Sequence, residues 1–244
     1  MKIYIASDFH LKFQESREDL QRRERVQVFL RSLIGKADVL ILNGDIFDLW
    51  FVWKKVIIKS YFPILKILAD IRESGCRIIF IAGNHDFWFG DFLSNYLDIE
   101  VYQDSFSGTL DGLKMFVTHG DQYTTNDKRY QIFRAFIRNR IITKTFETLH
   151  PDFALSIGSK LSRSSRRSKI PISVTQKREN GLIDFAKKKV RDNDLIVMGH
   201  SHLPKKIEFE KGIYVNSGDW IKHNTYVKII DGKIELKEFI FNSE

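Results

Sequence analysis

The sequence predicts an α/β protein in which two sheets pack face to face, are flanked by helices, and carry an inserted helical segment. Three observations predict it. First, Lys2-Ile-Tyr-Ile-Ala6, Val39-Leu-Ile-Leu42 and Arg77-Ile-Ile-Phe-Ile81 are short, nearly continuous apolar runs, as strands buried on both faces are. Second, helix-like spacing separates these runs, giving β-α-β-α-β at the start. Third, the tail alternates apolar and polar residues in strand fashion, and two sheets covered by helices satisfy both patterns together.

Taken in order, Arg17 to Ile34 and Ile57 to Glu73 carry helical spacing, the second followed by Gly75 as a stop. Short strands follow at Ile99 to Tyr102 and Leu113 to Thr118, with Asp111-Gly112 as the hairpin turn before the second. From Asp127 to Leu149 the apolar residues Tyr130, Phe133, Ile137, Ile141 and Phe146 recur among arginines and lysines, which predicts one amphipathic helix. Ser162 to Ile170 is a basic, serine-rich connector, and Val174 to Val190 predicts a further basic helix before a strand at Leu195 to Met198. The tail strands centre on Ile207, Val215, Val227 and Leu236, with Lys211-Gly212 and Asp231-Gly232 as turns. The expected division is a core of residues 1–125 and 192–244 with a cap at 126–191.

A chain of 244 residues can bury a sizeable core without staples, and its single cysteine, Cys76, allows no intrachain disulfide and no thiolate cluster. The N-terminus lacks the apolar run of a secretory signal, so a cytoplasmic location is expected. Spanning a bilayer takes about 18 to 20 apolar residues, and the best candidates are cut by Lys54, Lys55, Lys66 or Arg72. The net charge of +8 is uneven: Arg134 to Arg191 holds fifteen Lys or Arg against four Asp or Glu, a local +11 that leaves −3 elsewhere. Such a segment suits phosphates, borne by an anionic lipid, a nucleic acid or a phosphorylated small molecule, or is simply a solvated helical face.

Five polar motifs sit where the predicted strands end: DFH at Asp8 to His10, Gly44-Asp45, GNHD at Gly83 to Asp86, HGD at His119 to Asp121, and GHSH at Gly199 to His202. Five of the seven histidines fall inside them, leaving only His150 and His223 outside. Carboxylate oxygens and imidazole nitrogens suit manganese, iron or zinc, and loops at one sheet edge can bring all five motifs together. Asp8 and His10, like His200 and His202, are two residues apart and on an extended segment would point the same way.

This ordered set resembles the calcineurin-like metallophosphoesterases across nearly the whole chain. The resemblance implies a two-sheet αββα sandwich and two divalent ions, manganese first with iron or zinc as alternatives. It implies that Asp8, His10, Asp45 and His202 hold one ion, and that Asp45, Asn84, His119 and His200 hold the other. Two ions about 3.5 to 4 Å apart clamp a phosphate and generate a bridging hydroxide nucleophile. His85 is expected as general acid or donor to the leaving oxygen, with Asp86 or Asp48 orienting its ring.

The stretch HGDQYTTNDKRYQIFR from His119 to Arg134, the form GDIFDLW at Gly44 to Trp50 and the basic helical insert resemble the UDP-2,3-diacylglucosamine hydrolases of lipid A synthesis. That resemblance implies an acylated UDP-sugar substrate cleaved to UMP and a lipid monophosphate, by an enzyme peripheral on the cytoplasmic face of the inner membrane. It places Asn84, His85, Asp127, Tyr130 and Arg163 at the substrate. Here GNHD stands where the best-known members of that group carry GNRD, which restores the usual phosphoesterase acid. The alternative is a phosphodiesterase or nuclease of the same fold. Against a nucleic-acid track, the basic residues alternate with long aliphatics and phenylalanines in helices. Trp50, Phe51, Val52, Trp53, Tyr61 and Phe62 form an aromatic-rich cluster that either lines a groove or docks at a membrane interface.

Overall fold

Alternation on the buried strands sets the layers. β1 (Lys2–Ala6), β2 (Val39–Asn43) and β3 (Arg77–Ile81) pair in parallel with Ile5 opposite Ile41 and Ile41 opposite Ile79, joined by crossovers through α1 (Arg17–Arg31) and α2 (Phe62–Glu73). Ile3, Ile5, Val39, Ile41, Ile79 and Ile81 face the second sheet, while Ala6, Leu40, Leu42, Ile78 and Phe80 face the two helices. Both faces are therefore dry, which is why these strands are continuous apolar runs. The computed structural model describes residues 1–124, 128–158 and 172–241.

The first sheet has the order β11-β10-β1-β2-β3-β4, completed by β4 (Glu100–Tyr102), which follows the short helix α3 (Phe92–Leu97), and by β10 (Thr225–Ile230) and β11 (Lys233–Glu238). The second runs β5-β6-β7-β9-β8, from β5 (Ser105–Leu110), β6 (Leu113–Thr118), β7 (Leu195–Met198), β8 (Lys205–Phe209) and β9 (Gly212–Asn216). Met115, Val117, Leu195, Val197 and Val215 meet the first sheet. On the other face Phe116, Ile196, Met198 and Tyr214 meet Leu182 and Ala186 of a last helix. Two sheets between two helical layers is the αββα arrangement expected. The hairpin turns Asp111-Gly112 and Asp231-Gly232 have φ of 52 and 77°, and 50 and 73°, a conformation that Asp and Gly tolerate best.

Several boundaries differ from expectation. α1 ends at Arg31, and it starts on a capping box in which Asp19 N–H donates to Ser16 Oγ and Ser16 N–H donates back to Asp19, a device worth about 1 kcal/mol. The second helix opens as a 3-10 turn, Lys59–Tyr61, before Phe62, with Pro63 tolerated in the first helical turn. The tail turn falls at 210–211 and Gly212 already pairs in β9 with Phe209.

The crossover from β6 to the parallel β7 holds the largest differences. One helix was expected over 127–149; the chain forms α4 (Lys128–Ile137) and α5 (Arg140–Thr148), because Asn139 turns extended and its side chain accepts the Ile141 N–H at 2.8 Å. A further helical stretch covers 151–158. The expected cap at 126–191 divides in packing, since α6 (Ile172–Lys189) buries Leu182 and Ala186 on the second sheet and is a layer of the sandwich. The connector Ser162 to Ile170 lies outside the described residues. The cluster assigned to a groove or a membrane is mostly core: Trp50 and Tyr61 are buried on Phe47, Phe51 packs on Trp53, Trp88 and Phe146, and only Phe62 is well exposed.

Candidate metal centre

Because β1, β2 and β3 run parallel, as do β6, β7 and β9, the loops after these strands meet at one edge of the sandwich. All seven residues expected as ligands come together there. Asp8 Oδ1 is 3.7 Å from His10 Nε2 and 3.5 Å from His202 Nε2, and His10 Nε2 is 3.6 Å from Asp45 Oδ2. Asp45 Oδ2 is 3.4 Å from His119 Nε2. Asn84 Oδ1 lies 3.3 Å from that nitrogen and 3.0 Å from His200 Nδ1. Asp45 thus belongs to both halves of the constellation.

The backbone that aims these groups is not the one expected. Asp8 and His10 have φ of 56 and 46°, His200 and His202 have 63 and 62°, and Asp45 has 54°. Side chains two apart therefore converge through left-handed turns and not through strand alternation, while Phe9 between the first pair turns inward onto Trp220. Asp and His tolerate this region better than most residues, at about 1 to 2 kcal/mol each. The loops touch so closely that a Cβ on Gly83 would lie 2.2 Å from Asp45 Oδ1.

Two of the four imidazoles, those of His119 and His202, are oriented by their other nitrogen. His119 Nδ1 donates to the Asn43 carbonyl at 3.0 Å, which leaves Nε2 facing Asp45. His202 Nδ1 is 3.1 Å from Asp219 Oδ2. Burial alone would raise the Asp45 pKa, but His119, His85 and His10 hold it well below the carboxylate range. Burial lowers His10 to about 4 against the pull of Asp8 and Asp45. Burial also lowers His200, helped by His119 and Arg178. At His119 burial is overcome by Asp45, Asp8 and Asp121, which raise it to about 10, so this spot draws positive charge. Burial is overcome at His202 as well, by Asp8 and Asp219, which raise it, so the pocket pairs ionised carboxylates with two neutral imidazoles, His10 and His200, and two that hold protons a bound cation would displace.

A divalent cation fits that donor set. Asp8 Oδ1 and His10 Nε2 are buried without a hydrogen-bond partner, an expensive state unless an ion satisfies them. Separations of 3.0 to 3.7 Å lie close to those of donor atoms that share one ion at bonds of about 2.0 to 2.2 Å, whose edges span about 2.8 to 3.6 Å.

His85 sits beside the centre, partly exposed, with its N–H donating to Asp45 Oδ1 and Nδ1 donating to the Asp48 carbonyl, both at 2.9 Å. A carbonyl only accepts, so Nδ1 carries a hydrogen and Nε2 is the nitrogen left for a substrate. Asp48 thus orients the ring, through its backbone. Asp86 does not, and the expectation that it orients His85 is corrected. Its buried carboxylate accepts the N–H groups of Gly83, Asp45, Ile46 and Phe47 at 2.9, 3.0, 2.7 and 3.2 Å and clips two ligand loops together. Burial and the charge of Asp45 push it up to about 7.

Of the expected substrate contacts, Tyr130 lies over the centre, its ring 5.2 Å from that of His200 and its hydroxyl 3.3 Å from Asp121. Arg134 Nε donates to the same Asp121 carboxylate at 2.5 Å, docking α4 against the HGD loop. Asp127 and Arg163 lie outside the described residues, as does the Phe133 side chain. Sequence reasoning missed Asp219, whose carboxylate meets His202 and His223 and accepts the Lys222 and His223 N–H groups. The signal was present: Asn216-Ser-Gly-Asp219 is another GD motif directly after a strand.

Comparison with known proteins bears on this geometry. The family model described as Calcineurin-like phosphoesterase matches residues 1–204. A Porphyromonas gingivalis protein named UDP-2,3-diacylglucosamine hydrolase is 28% identical over 261 residues, covering 100% of this chain and 99% of the relative. A Neisseria meningitidis protein of the same name is 27% identical, covering 93% and 92%. Among solved structures, an archaeal phosphodiesterase superposes with a TM-score of 0.54 at 16% identity, covering 99% of this chain and 100% of that one, a likeness of fold.

Proposed function

The chain belongs to the calcineurin-like phosphoesterase family, and from that premise we propose that it hydrolyses UDP-2,3-diacylglucosamine to UMP and 2,3-diacylglucosamine 1-phosphate, a step of lipid A synthesis. The observation that carries this reading is the end-to-end match to relatives bearing that name, with no large segment unmatched on either side. The interior of HGDQYTTNDKRYQIFR supports it, because Tyr130 and Arg134 both close on Asp121 beside the centre.

The family implies divalent metals. We assign Asp8, His10, Asp45 and His202 to one ion and Asp45, Asn84, His119 and His200 to the other, with manganese the first candidate and iron and zinc behind it. Such a pair supplies Lewis-acid charge to a phosphoryl group and makes water a competent nucleophile near neutral pH. The protein's own part is positional and protonic. Asp86 and Gly83 fix the two loops at contact distance. His85, its Nδ1 held by Asp48, presents Nε2 for a proton or hydrogen bond to the leaving oxygen. Tyr130 offers a ring face beside His200.

The lipid half requires apolar surface. A cleft of 220 Å³ opens next to the His85 loop, with Phe87, Trp88 and Phe89 on an apolar side and Gln103, Thr143 and Glu147 on a polar one, and we assign the start of an acyl chain to its apolar side. Ile132, Phe136, Ile141 and Phe153 are exposed along the basic crossover, which supports docking on an anionic membrane surface and a peripheral place on the cytoplasmic face of the inner membrane. Among the described residues no helix is long and apolar enough to cross a membrane. A second reading, a phosphodiesterase for another nucleotide, is favoured by one observation, the histidine at position 85.

The test is UMP release from UDP-2,3-diacylglucosamine by metal-stripped protein before and after manganese, in ¹⁸O-water. Manganese-dependent release above about 1 per second, with the label in UMP, is expected. The proposal places attack at the phosphorus that bears the uridine, so label in the lipid monophosphate would overturn it. No release alongside rapid cleavage of a chromogenic diester would favour the second reading.

A further inference from the structure

Outside every motif, Glu179 of α6 is a fully buried carboxylate aimed at the GHSH loop. Ser201 Oγ donates to Glu179 Oε2 at 2.6 Å, Asn216 Nδ2 donates to the same oxygen at 2.9 Å, and the Tyr214 hydroxyl donates to Oε1 at 3.2 Å. Asn216 Nδ2 also reaches the Gly199 carbonyl at 3.0 Å and Ser201 Oγ at 2.8 Å. Ser201 stands between His200 and His202, and both neighbours have left-handed backbones. Non-glycine residues stay in that conformation only where their surroundings over-determine it, at a cost of about 1 to 2 kcal/mol each. The Ser201 side chain, pinned from α6 and from the end of β9, supplies that over-determination.

We propose that Glu179 is a positioning residue for the metal centre: through Ser201 it holds the loop that aims His200 and His202, and so ties α6 to both halves of the constellation. This rests on the proposed function in one respect, that these two histidines hold the ions. His200 belongs to one ion and His202 to the other, so losing Glu179 weakens both. Loss of a ligand that serves one ion alone would weaken chiefly that one. Glutamine can stand in, because its oxygen accepts from Ser201 and Asn216 while its amide donates to a rotated Tyr214 hydroxyl.

The experiment is a manganese titration of metal-stripped protein, with free ion counted by electron paramagnetic resonance and folding checked by circular dichroism and urea unfolding. Glu179→Ala and Ser201→Ala are expected to weaken both sites about tenfold or more, the scale on which residues supporting metal ligands act, while Glu179→Gln stays near the parent. Ser201→Ala removes one hydroxyl and tests the link even if Glu179→Ala does not fold. Parent affinity in folded Ser201→Ala would overturn the proposal, as would a Glu179→Gln variant as weak as Glu179→Ala. An unmodified protein that takes up no manganese would instead count against the metal assignment itself.

Discussion

The pocket at the strand ends and the crossover between β6 and β7 are built on opposite terms. In the pocket Asp8, Asp45 and His119 are buried, five ligand residues hold left-handed backbones, and a web of hydrogen bonds from Asn43, Asp86, Asn216 and Asp219 leaves little freedom. In the crossover Phe136 and Ile141 are 62% and 75% exposed, and short helices dock through a few side chains such as Arg134 on Asp121. The contrast separates two tasks. On the function proposed, chemistry that needs ångström placement would be held by the buried loops, and recognition of an amphiphilic substrate would fall to the exposed crossover.

The sharpest way to break that division is Asp45→Ala. Turnover should fall about 10³-fold, the scale of one essential electrostatic group, with a folded protein by circular dichroism. Near-normal UMP release would remove Asp45 from the shared position between the two ions. Next, Asp86→Ala strands four buried amides and should cost about 3 kcal/mol or more in urea unfolding. A residue that merely oriented the His85 ring would leave stability almost unchanged.

On the crossover side, Phe136→Ser with Ile141→Ser should change stability by no more than about 0.5 kcal/mol, as exposed positions do. The same pair should lower hydrolysis of the lipid substrate in vesicles about tenfold, worth about 1.4 kcal/mol of apolar transfer, with a water-soluble diester unaffected. Equal losses on both substrates would make the crossover a structural element.

The smallest effect belongs to a residue that is not a ligand, at the start of α1, where Arg22 bridges Asp19 to the His10 carbonyl. Burial would raise the Asp19 pKa, but Lys12, Ser16 and Arg22 bring it to about 2. A depressed folded value stabilises above the unfolded value of about 3.9 and is lost as pH falls toward about 2. Stability of the parent relative to Asp19→Asn should therefore shrink across that window, read from urea midpoints. A difference that grows on acidification would contradict the sign.

Much of the pocket was legible because buried parallel strands advertise themselves as apolar runs and end abruptly in polar residues. That placed Asp8, Asp45, Asn84, His119 and His200 correctly at one edge. Backbone handedness was not legible, because Asp and His at positive φ leave no mark in residue order; Asp8 and His10 looked like neighbours on an extended strand. Asp86 was misjudged because a carboxylate next to His85 in sequence faces away from it, toward amides that only the fold brings near. Asn139 broke an apparent single helix because a capping side chain competes locally with helical periodicity. Glu179 was invisible, since nothing in a basic amphipathic helix marks one acid as buried.

The measurement that reaches the central claim most directly is anomalous diffraction from crystals loaded with manganese. Two peaks on either side of Asp45 Oδ2, one among Asp8, His10 and His202 and one among Asn84, His119 and His200, are the expected result. A single peak, or peaks away from Asp45, would contradict a dinuclear centre built from these seven residues.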